Sequence, residues 1–375
     1  MLEILVPRER RKGEARVAAT PETVKKLIKD GATVLVERSA GAESYFADAD
    51  YEAVGAQLVD HPNWSTADVV LKVGPLADDE TPKAGALVIG FLAPYKNLET
   101  VRRLAAANVS SFSLEQVPRT TRAQSMDALS SQASIGGYKA VLLAALHLPK
   151  YFPLLMTAAG TIKPARVVIM GAGVAGLQAI GTARRLGAVV EVSDIRAVVK
   201  EQVESLGGRF IELPILETSG GEGSGGYARD MGEDFLRRQR EIVERHLAAA
   251  DAAITTALVP GKPAPRLLTT AMVEKMRPGS VIVDLAIEQG GNCELSRADE
   301  EVVHQGVHIL APSNLPATMP HDASLLFARN TLALLQYVLK EGTIRLDTED
   351  EIVRGSLLTH DGKVWPADLV ARLAG

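Results

Sequence analysis

Short apolar runs alternate with amphipathic stretches along most of the chain. In the first third, Leu2–Val6, Ala32–Glu37, Val69–Val73, Leu87–Phe91 and Ser110–Ser113 read as strands. After the first of them, Thr20 is placed as an N-cap and Pro21 at the first helical position, where its missing N–H costs nothing. The helix predicted over Glu22–Lys29 stops at Asp30-Gly31, glycine being suited to a left-handed position after a helix. Strands separated by helical stretches imply parallel pairing with helices on both sheet faces.

A polar segment, Arg119–Ser134, separates this series from a second one. There an apolar helix is predicted over Tyr138–Leu148, followed by a fully apolar strand, Arg166–Met170. Further strands are expected at Val189–Ser193, Phe210–Leu213, Ala252–Thr255, Val281–Leu285 and Val307–Leu310. A long helix follows His321, and the tail carries strand-like pieces, Ile352–Leu358 and the Asp361-Gly362 turn. The tail is too short to fold alone and is expected to return to the first domain. The expectation is an α/β protein of two Rossmann-like doubly wound domains with mostly parallel sheets and a cleft between them. The domains are residues 1–130 with 321–375, and 131–320.

Composition narrows the function. Of 375 residues, 41 are Lys or Arg and 46 are Asp or Glu, a net charge of −5, so a mildly acidic chain without a basic run argues against nucleic acid as a partner. Apolar residues make up 46%, a globular proportion that excludes wholesale disorder. The single cysteine, Cys293, cannot form an internal disulfide or a paired-cysteine metal site, and it has no neighbouring base to make it a reactive thiol. The N-terminus has no apolar h-region, and the apolar stretch around Ala140–Leu148 is far short of the roughly 20 residues of a membrane span, so a soluble, cytosolic chain is expected.

Gly171-Ala172-Gly173-Val174-Ala175-Gly176 fits GxGxxG. The motif follows a predicted strand and opens a predicted helix, Val174–Leu186, ending at Gly187. In that setting Gly171 permits the tight turn, Gly173 lets a pyrophosphate approach the backbone, and Gly176 allows close helix–strand packing. The helix N-terminus presents N–H groups and partial positive charge to phosphates. Asp194 ends the next strand, 18 residues beyond Gly176, where an acid accepts from ribose hydroxyls and repels a 2′-phosphate, favouring NAD over NADP. Arg196 works against that selectivity. A plain glycine turn between packed elements is the lesser reading.

Other patterns leave two readings open. The segment Thr218–Tyr227, with glycine at 220, 221, 223, 225 and 226, is a surface linker or a mobile lid. The run Pro118–Ser134, with Arg119, Arg122, Gln124, Asp127 and Ser130, is a capped loop or a set of groups holding a nicotinamide and its ribose. Asp284 and Glu288 face a cofactor or cap the next element. His304 and His308 are four apart, but Gly306 between them and a strand-like Val307–Leu310 put them on opposed faces, so no metal site is expected.

Long stretches of the chain closely resemble the NAD(H)-binding component, domain I, of the proton-translocating NAD(P) transhydrogenases, a family related to alanine dehydrogenase. They are PRERRKGEARVAATPE, RAQSMDALSSQ, TAAGTIKPARVVIMGAGVAGLQAI, KEQVESLGG, GGYARDMGEDF, ITTALVPGKPAP and DLAIEQGGNCELS. The resemblance implies a homodimer that holds NAD(H), docks on an NADP(H)-binding domain and membrane-embedded transhydrogenase subunits, and passes hydride directly between the two nicotinamides in the Si/Re-specific manner. It places the chain in the cytoplasm, attached peripherally to the inner (plasma) membrane through those partners. On matching positions, Arg119, Asp127 and Ser130 lie beside the nicotinamide, and Gln124 contacts the incoming NADP(H). Gly171, Gly173, Val174, Gly176, Asp194, Ile195, Arg196, Thr256 and Ala257 line the NAD(H) site, and Tyr227 tips a mobile loop of about 217–232 that closes over it. Arg16 and Lys72 match the groups with which alanine dehydrogenase binds its keto-acid. The catalytic His of that enzyme has no equivalent in Gly90-Phe91-Leu92-Ala93-Pro94, and Glu288 replaces one of its Asp residues. Oxidising an amino group needs a base, whereas exchanging hydride between two rings does not. The alternatives are an alanine-dehydrogenase-like amino-acid dehydrogenase and a non-catalytic NAD(H)-binding module.

Overall fold

The computed structural model describes residues 2–213, 233–259 and 262–374, divided into two compact units, Met1–Gln132 with Pro316–Gly375 and Ala133–Leu315. In the first unit the sheet order is Lys363–Val364, Leu357–His360, Ser110–Ser113, Leu87–Gly90, Val69–Leu71, Glu3–Val6, Thr33–Glu37 and Gln57–Val59. From Ser110–Ser113 onward all pairs are parallel, with Ile4 opposite both Val34 and Val69, while the two tail strands pair antiparallel. Ile4, Leu5 and Val6 are all fully buried, but Ile4 and Val6 enter one core and Leu5 another. Side chains alternate across a strand, so an unbroken apolar run is what a sheet covered on both faces requires.

The second unit repeats the logic. Its sheet order is Arg209–Phe210, Val189–Ser193, Arg166–Met170, Ala252–Thr255, Val281–Asp284, Val307–Leu310 and Glu301–His304, parallel except for the last pair. Val167 and Ile169 feed one core, Val168 and Met170 the other. Numbering its six parallel strands along the chain gives the order 3-2-1-4-5-6, and the six parallel strands of the first unit have the same order. That arrangement leaves a crevice beyond the carboxyl ends of strands 1 and 4, where the order reverses.

Several local expectations need correction. The helix placed at Tyr138–Leu148 spans Ala128–His147, because Asp127 caps it ten residues earlier. The strand-like Ile352–Leu358 is mostly helix, Glu351–Ser356, started by Asp350, whose carboxylate accepts from the N–H of Ile352 and Val353; the strand begins only at Leu357. Of Phe210–Leu213, only Phe210 belongs to the strand Arg209–Phe210. The helix after the glycine motif, Val174–Arg185, and its end at Gly187, with φ +89, match the sequence reading. Among the described residues, no helix is long and apolar enough to cross a membrane.

Candidate functional site

The glycine motif sits at the carboxyl end of Arg166–Met170, strand 1 of the second unit. Gly171 has φ +103, and a Cβ there would lie 2.6 Å from Thr256 Oγ1. At Gly176 a Cβ would lie 1.8 Å from the Gly171 carbonyl oxygen, so no side chain fits between helix and turn. Gly173 is different: it precedes the helix as N-cap, and nothing lies within 4 Å of the position a Cβ would take. The turn is therefore packed shut at its first and third glycines and open at the second, the side from which a phosphate would approach the helix N-terminus. Val174 is partly exposed at the same place.

Thr256 and Ala257 continue strand 4 past Thr255. The N–H of Thr256 donates to Met170 O (2.8 Å) and its hydroxyl to Gly171 O (3.1 Å), binding the end of strand 4 to the glycine turn. Asp194, almost fully buried at the end of strand 2, accepts from the N–H of Ala172 (2.6 Å) and of Arg196 (2.8 Å). The Arg196 guanidinium adds Nε at 3.0 Å and Nη2 at 2.8 Å. These donors fill both lone-pair positions of each oxygen. A ribose hydroxyl can reach this carboxylate only by displacing guanidinium donors, since the two backbone donors are fixed by the fold. Ile195 lies between the two in the chain. The acid, the open second glycine and the bare helix end fit an adenosine diphosphate moiety. Tyr227 and the loop of about 217–232 lie outside the described residues.

The first unit holds the other predicted group. Thr121–Met126 forms a 3-10 turn steadied from the helix Pro320–Val338 by Asn330, which donates to Ser125 O (2.8 Å). Gln124 is exposed on it and Arg119 is exposed just ahead of it, while Asp127 and Ser130 are half-buried. Asp127 and Ser130 are bound to each other: the Ser130 N–H donates to Asp127 Oδ1 (2.9 Å) and its hydroxyl to Oδ2 (2.6 Å). The helix that follows is capped by Asp127, not by Ser125, and Arg119 and Gln124 are exposed. Arg122 is engaged elsewhere, donating to Tyr337 and Asp350.

Arg16 and Lys72 are buried and matched by the chain's own carboxylates. Arg16 makes a two-pronged pair with Glu14 (2.6 and 2.7 Å) and a bond to Gln132 Oε1 (2.8 Å). Lys72 lies 3.0 Å from Glu80 and 3.5 Å from Glu9, and Glu9 also accepts from the N–H of Val73. Burial raises the Glu9 pKa, with Lys72 opposing the shift. At Gly90–Pro94 the N–H groups of Leu92 and Ala93 are both taken by Glu115. His304 and His308 pair separately with Glu274 and Glu301, and no cluster of metal-ligating side chains occurs among the described residues. Sequence reasoning missed how Asp284 and Asn292 support Thr256–Ala257, a contact no local signal announces.

Fold and glycine turn together define a Rossmann-like α/β protein of the dinucleotide-binding kind. The chain belongs to the alanine dehydrogenase/PNT family: the model of its N-terminal domain matches residues 5–136 and that of its C-terminal domain residues 140–367. It is 47% identical over 374 residues to an NAD(P) transhydrogenase alpha subunit of Rhodospirillum rubrum, covering 97% of each chain. Among solved structures it resembles a transhydrogenase from Sinorhizobium meliloti, with TM-score 0.87, 43% identity, and coverage of 96% of this chain and 99% of that one. An L-alanine dehydrogenase is more distant, with TM-score 0.80 and 28% identity over 99% of this chain and 100% of that one.

Proposed function

We propose that the chain is the NAD(H)-holding component of a proton-translocating transhydrogenase. Hydride passes directly between NAD(H) on the unit Ala133–Leu315 and NADP(H) held by a partner subunit. The chain works as a homodimer attached peripherally to membrane-embedded partners. The observation that carries this reading is the 47% identity to a transhydrogenase alpha subunit over nearly the whole of both chains. It is supported by the glycine turn, open only at Gly173, and by Asp194.

The nicotinamide supplies the hydride chemistry when bound; the residues of the chain bind and orient. The helix end at Gly173–Val174 takes the pyrophosphate. Asp194 exchanges Arg196 Nε and Nη2 for ribose hydroxyls and, being an anion, rejects a 2′-phosphate. Asp127 holds Ser130, and Ser130 with Arg119 fixes the nicotinamide end, while exposed Gln124 reaches toward the second nucleotide. Such positioning can lower a barrier by about 7–11 kcal/mol without a proton-accepting group. The stretch Gly90–Pro94 offers no base, and its Leu92 and Ala93 amides are already bound to Glu115.

The test is to mix the purified chain with a heterologous NADP(H)-binding transhydrogenase domain and follow reduction of an NAD analogue by NADPH. Turnover only in the mixture is expected. Consumption of pyruvate, ammonia and NADH by the chain alone would establish the dehydrogenase alternative instead. NADH binding without turnover in the mixture would establish the binding module.

A further inference from the structure

Asp284 ends strand 5 of the second unit, fully buried, and accepts five hydrogen bonds. The hydroxyl of Thr255 (3.0 Å) and the N–H of Ala286 (3.0 Å) reach Oδ1. The N–H groups of Asn292 (2.8 Å) and Cys293 (3.0 Å) and the hydroxyl of Ser296 (2.7 Å) reach Oδ2. A buried carboxylate is tolerated only when hydrogen bonds replace its water. Here the donors come from a turn wrapped round it. Gly291 has φ +83, and a Cβ there would lie 2.8 Å from Asp284 Oδ2, so the wrap depends on glycine.

The wrap delivers Asn292, itself fully buried. Its Oδ1 accepts from the Ala257 N–H (3.0 Å), and its Nδ2 donates to Ala257 O (2.9 Å) and Pro265 O (2.8 Å). One side-chain amide thus satisfies both backbone groups of Ala257, as a neighbouring strand would, just where strand 4 has run out. The next residue back, Thr256, holds the glycine turn through Gly171 O. A continuous set of bonds runs from Asp284 through Asn292 and the Thr256–Ala257 step to Gly171, ending at the crevice where the strand order reverses. Asn292 is too deep to touch a ligand, so its effect on one must pass through Ala257.

We propose that Asn292, set in place by the Asp284-centred turn, is a positioning residue for the dinucleotide, fixing Thr256–Ala257 against the glycine turn before any ligand arrives. The proposal rests on the NAD(H) reading of this unit. Its test compares NADH titrations, by nicotinamide fluorescence, of the full chain, of Asn292→Ala and of Ser280→Ala. Ser280 is a buried residue just before the strand Val281–Asp284, at the end opposite Asp284, its hydroxyl donating to Ala250 O (3.4 Å). Asn292→Ala is expected to raise the NADH Kd by about 10-fold or more, because binding must then order a Thr256–Ala257 step that the parent chain already holds fixed. Ser280→Ala is expected to stay within about twofold of the parent chain. A second readout needs no variant: hydrogen exchange at the Ala257 amide of the ligand-free parent chain should already be slow. An unchanged Kd in folded Asn292→Ala, an equal loss in Ser280→Ala, or fast exchange at Ala257 without ligand overturns the positioning role. If the parent chain does not bind NADH at all, the NAD(H) reading itself fails, a result distinct from these.

Discussion

Two adjacent glycines in the helix Ala128–His147 should respond oppositely to the same substitution. A Cβ at Gly137 would stand 2.0 Å from the carbonyl oxygen and 2.8 Å from the carbonyl carbon of Ala175, in the first turn of the helix that opens the glycine motif. Side-chain carbons do not approach heavy atoms within about 3.0 Å, so Gly137→Ala must drive two backbones apart by roughly 1 Å. Overpacking of this kind costs about 1–3 kcal/mol, and backbone on the opposing side puts this case toward the upper end. Alanine returns up to about 1 kcal/mol of helix preference, leaving a net loss of about 2 kcal/mol. For a unit of this size that lowers the melting temperature by about 4–8 °C. At Gly136 nothing lies within 4 Å of the added carbon, so only the helix preference acts, and Gly136→Ala should raise stability by about 0.5–1 kcal/mol. The two variants, melted side by side by circular dichroism with the parent chain, give the comparison. If Gly137→Ala melts at or above the parent temperature, alongside Gly136→Ala, the close helix approach is wrong. Because Ala175 belongs to the glycine turn proposed to take the pyrophosphate, Gly137→Ala should also weaken NADH binding, and Gly136→Ala should not.

Asp194→Asn removes the charge that pairs with Arg196 and, in the proposed reading, accepts from ribose. NADH affinity should fall by about 10- to 100-fold, with a smaller change for NADPH, as measured by parallel titrations; equal losses would contradict the assignment. Gln124→Asn, on an exposed turn, should leave melting temperature and NADH affinity alone and slow stopped-flow hydride transfer in the mixed system. Partial burial of Asp350 pushes its pKa up, but hydrogen bonds from Tyr337, Arg122 and the amides of Val353 and Ile352 outweigh it and bring it down to about 2. A folded pKa below the unfolded value of about 4 stabilises above pH 4 and ceases to do so as pH falls toward 2. The melting difference between the parent chain and Asp350→Asn should accordingly be full at pH 6 and vanish near pH 2; a difference constant with pH would refute the pairing.

What could be read from sequence was whatever burial writes into a short window. Arg166–Met170 is covered on both faces and apolar from Val167 onward, so it was plain, and Val189–Ser193 shows through its three valines although Glu191 stands among them. Glu301–His304 is an edge strand with alternating exposure, and Leu155–Thr157 with Gly160–Ile162 is a largely exposed hairpin; neither has a run to recognise. The first half of Ala128–His147 reads as a polar linker because its buried Gln and Gly residues serve specific contacts rather than supplying apolar bulk. Gln132 meets Arg16, and Gly137 meets Ala175, partners far away in the chain. GxGxxG was legible because its spacing is local. Asn292 was not, since its job is defined by Ala257, 35 positions earlier.

One consequence of the repeated strand order concerns stoichiometry. A chain with the same topology twice has two places where a nucleotide crevice should open. In the second unit the ends of strands 1 and 4 meet through Gly171 and the Thr256 hydroxyl, leaving the second glycine bare. In the first unit the corresponding ends are stitched by ions: Glu9, beyond strand 1, takes the Val73 N–H beyond strand 4, and Lys72 lies between Glu9 and Glu80. With a glutamate and a lysine filling the place that the other unit keeps clear, a titration should saturate at about one NADH per chain. The duplicated architecture yields one open berth and one sealed by its own charges.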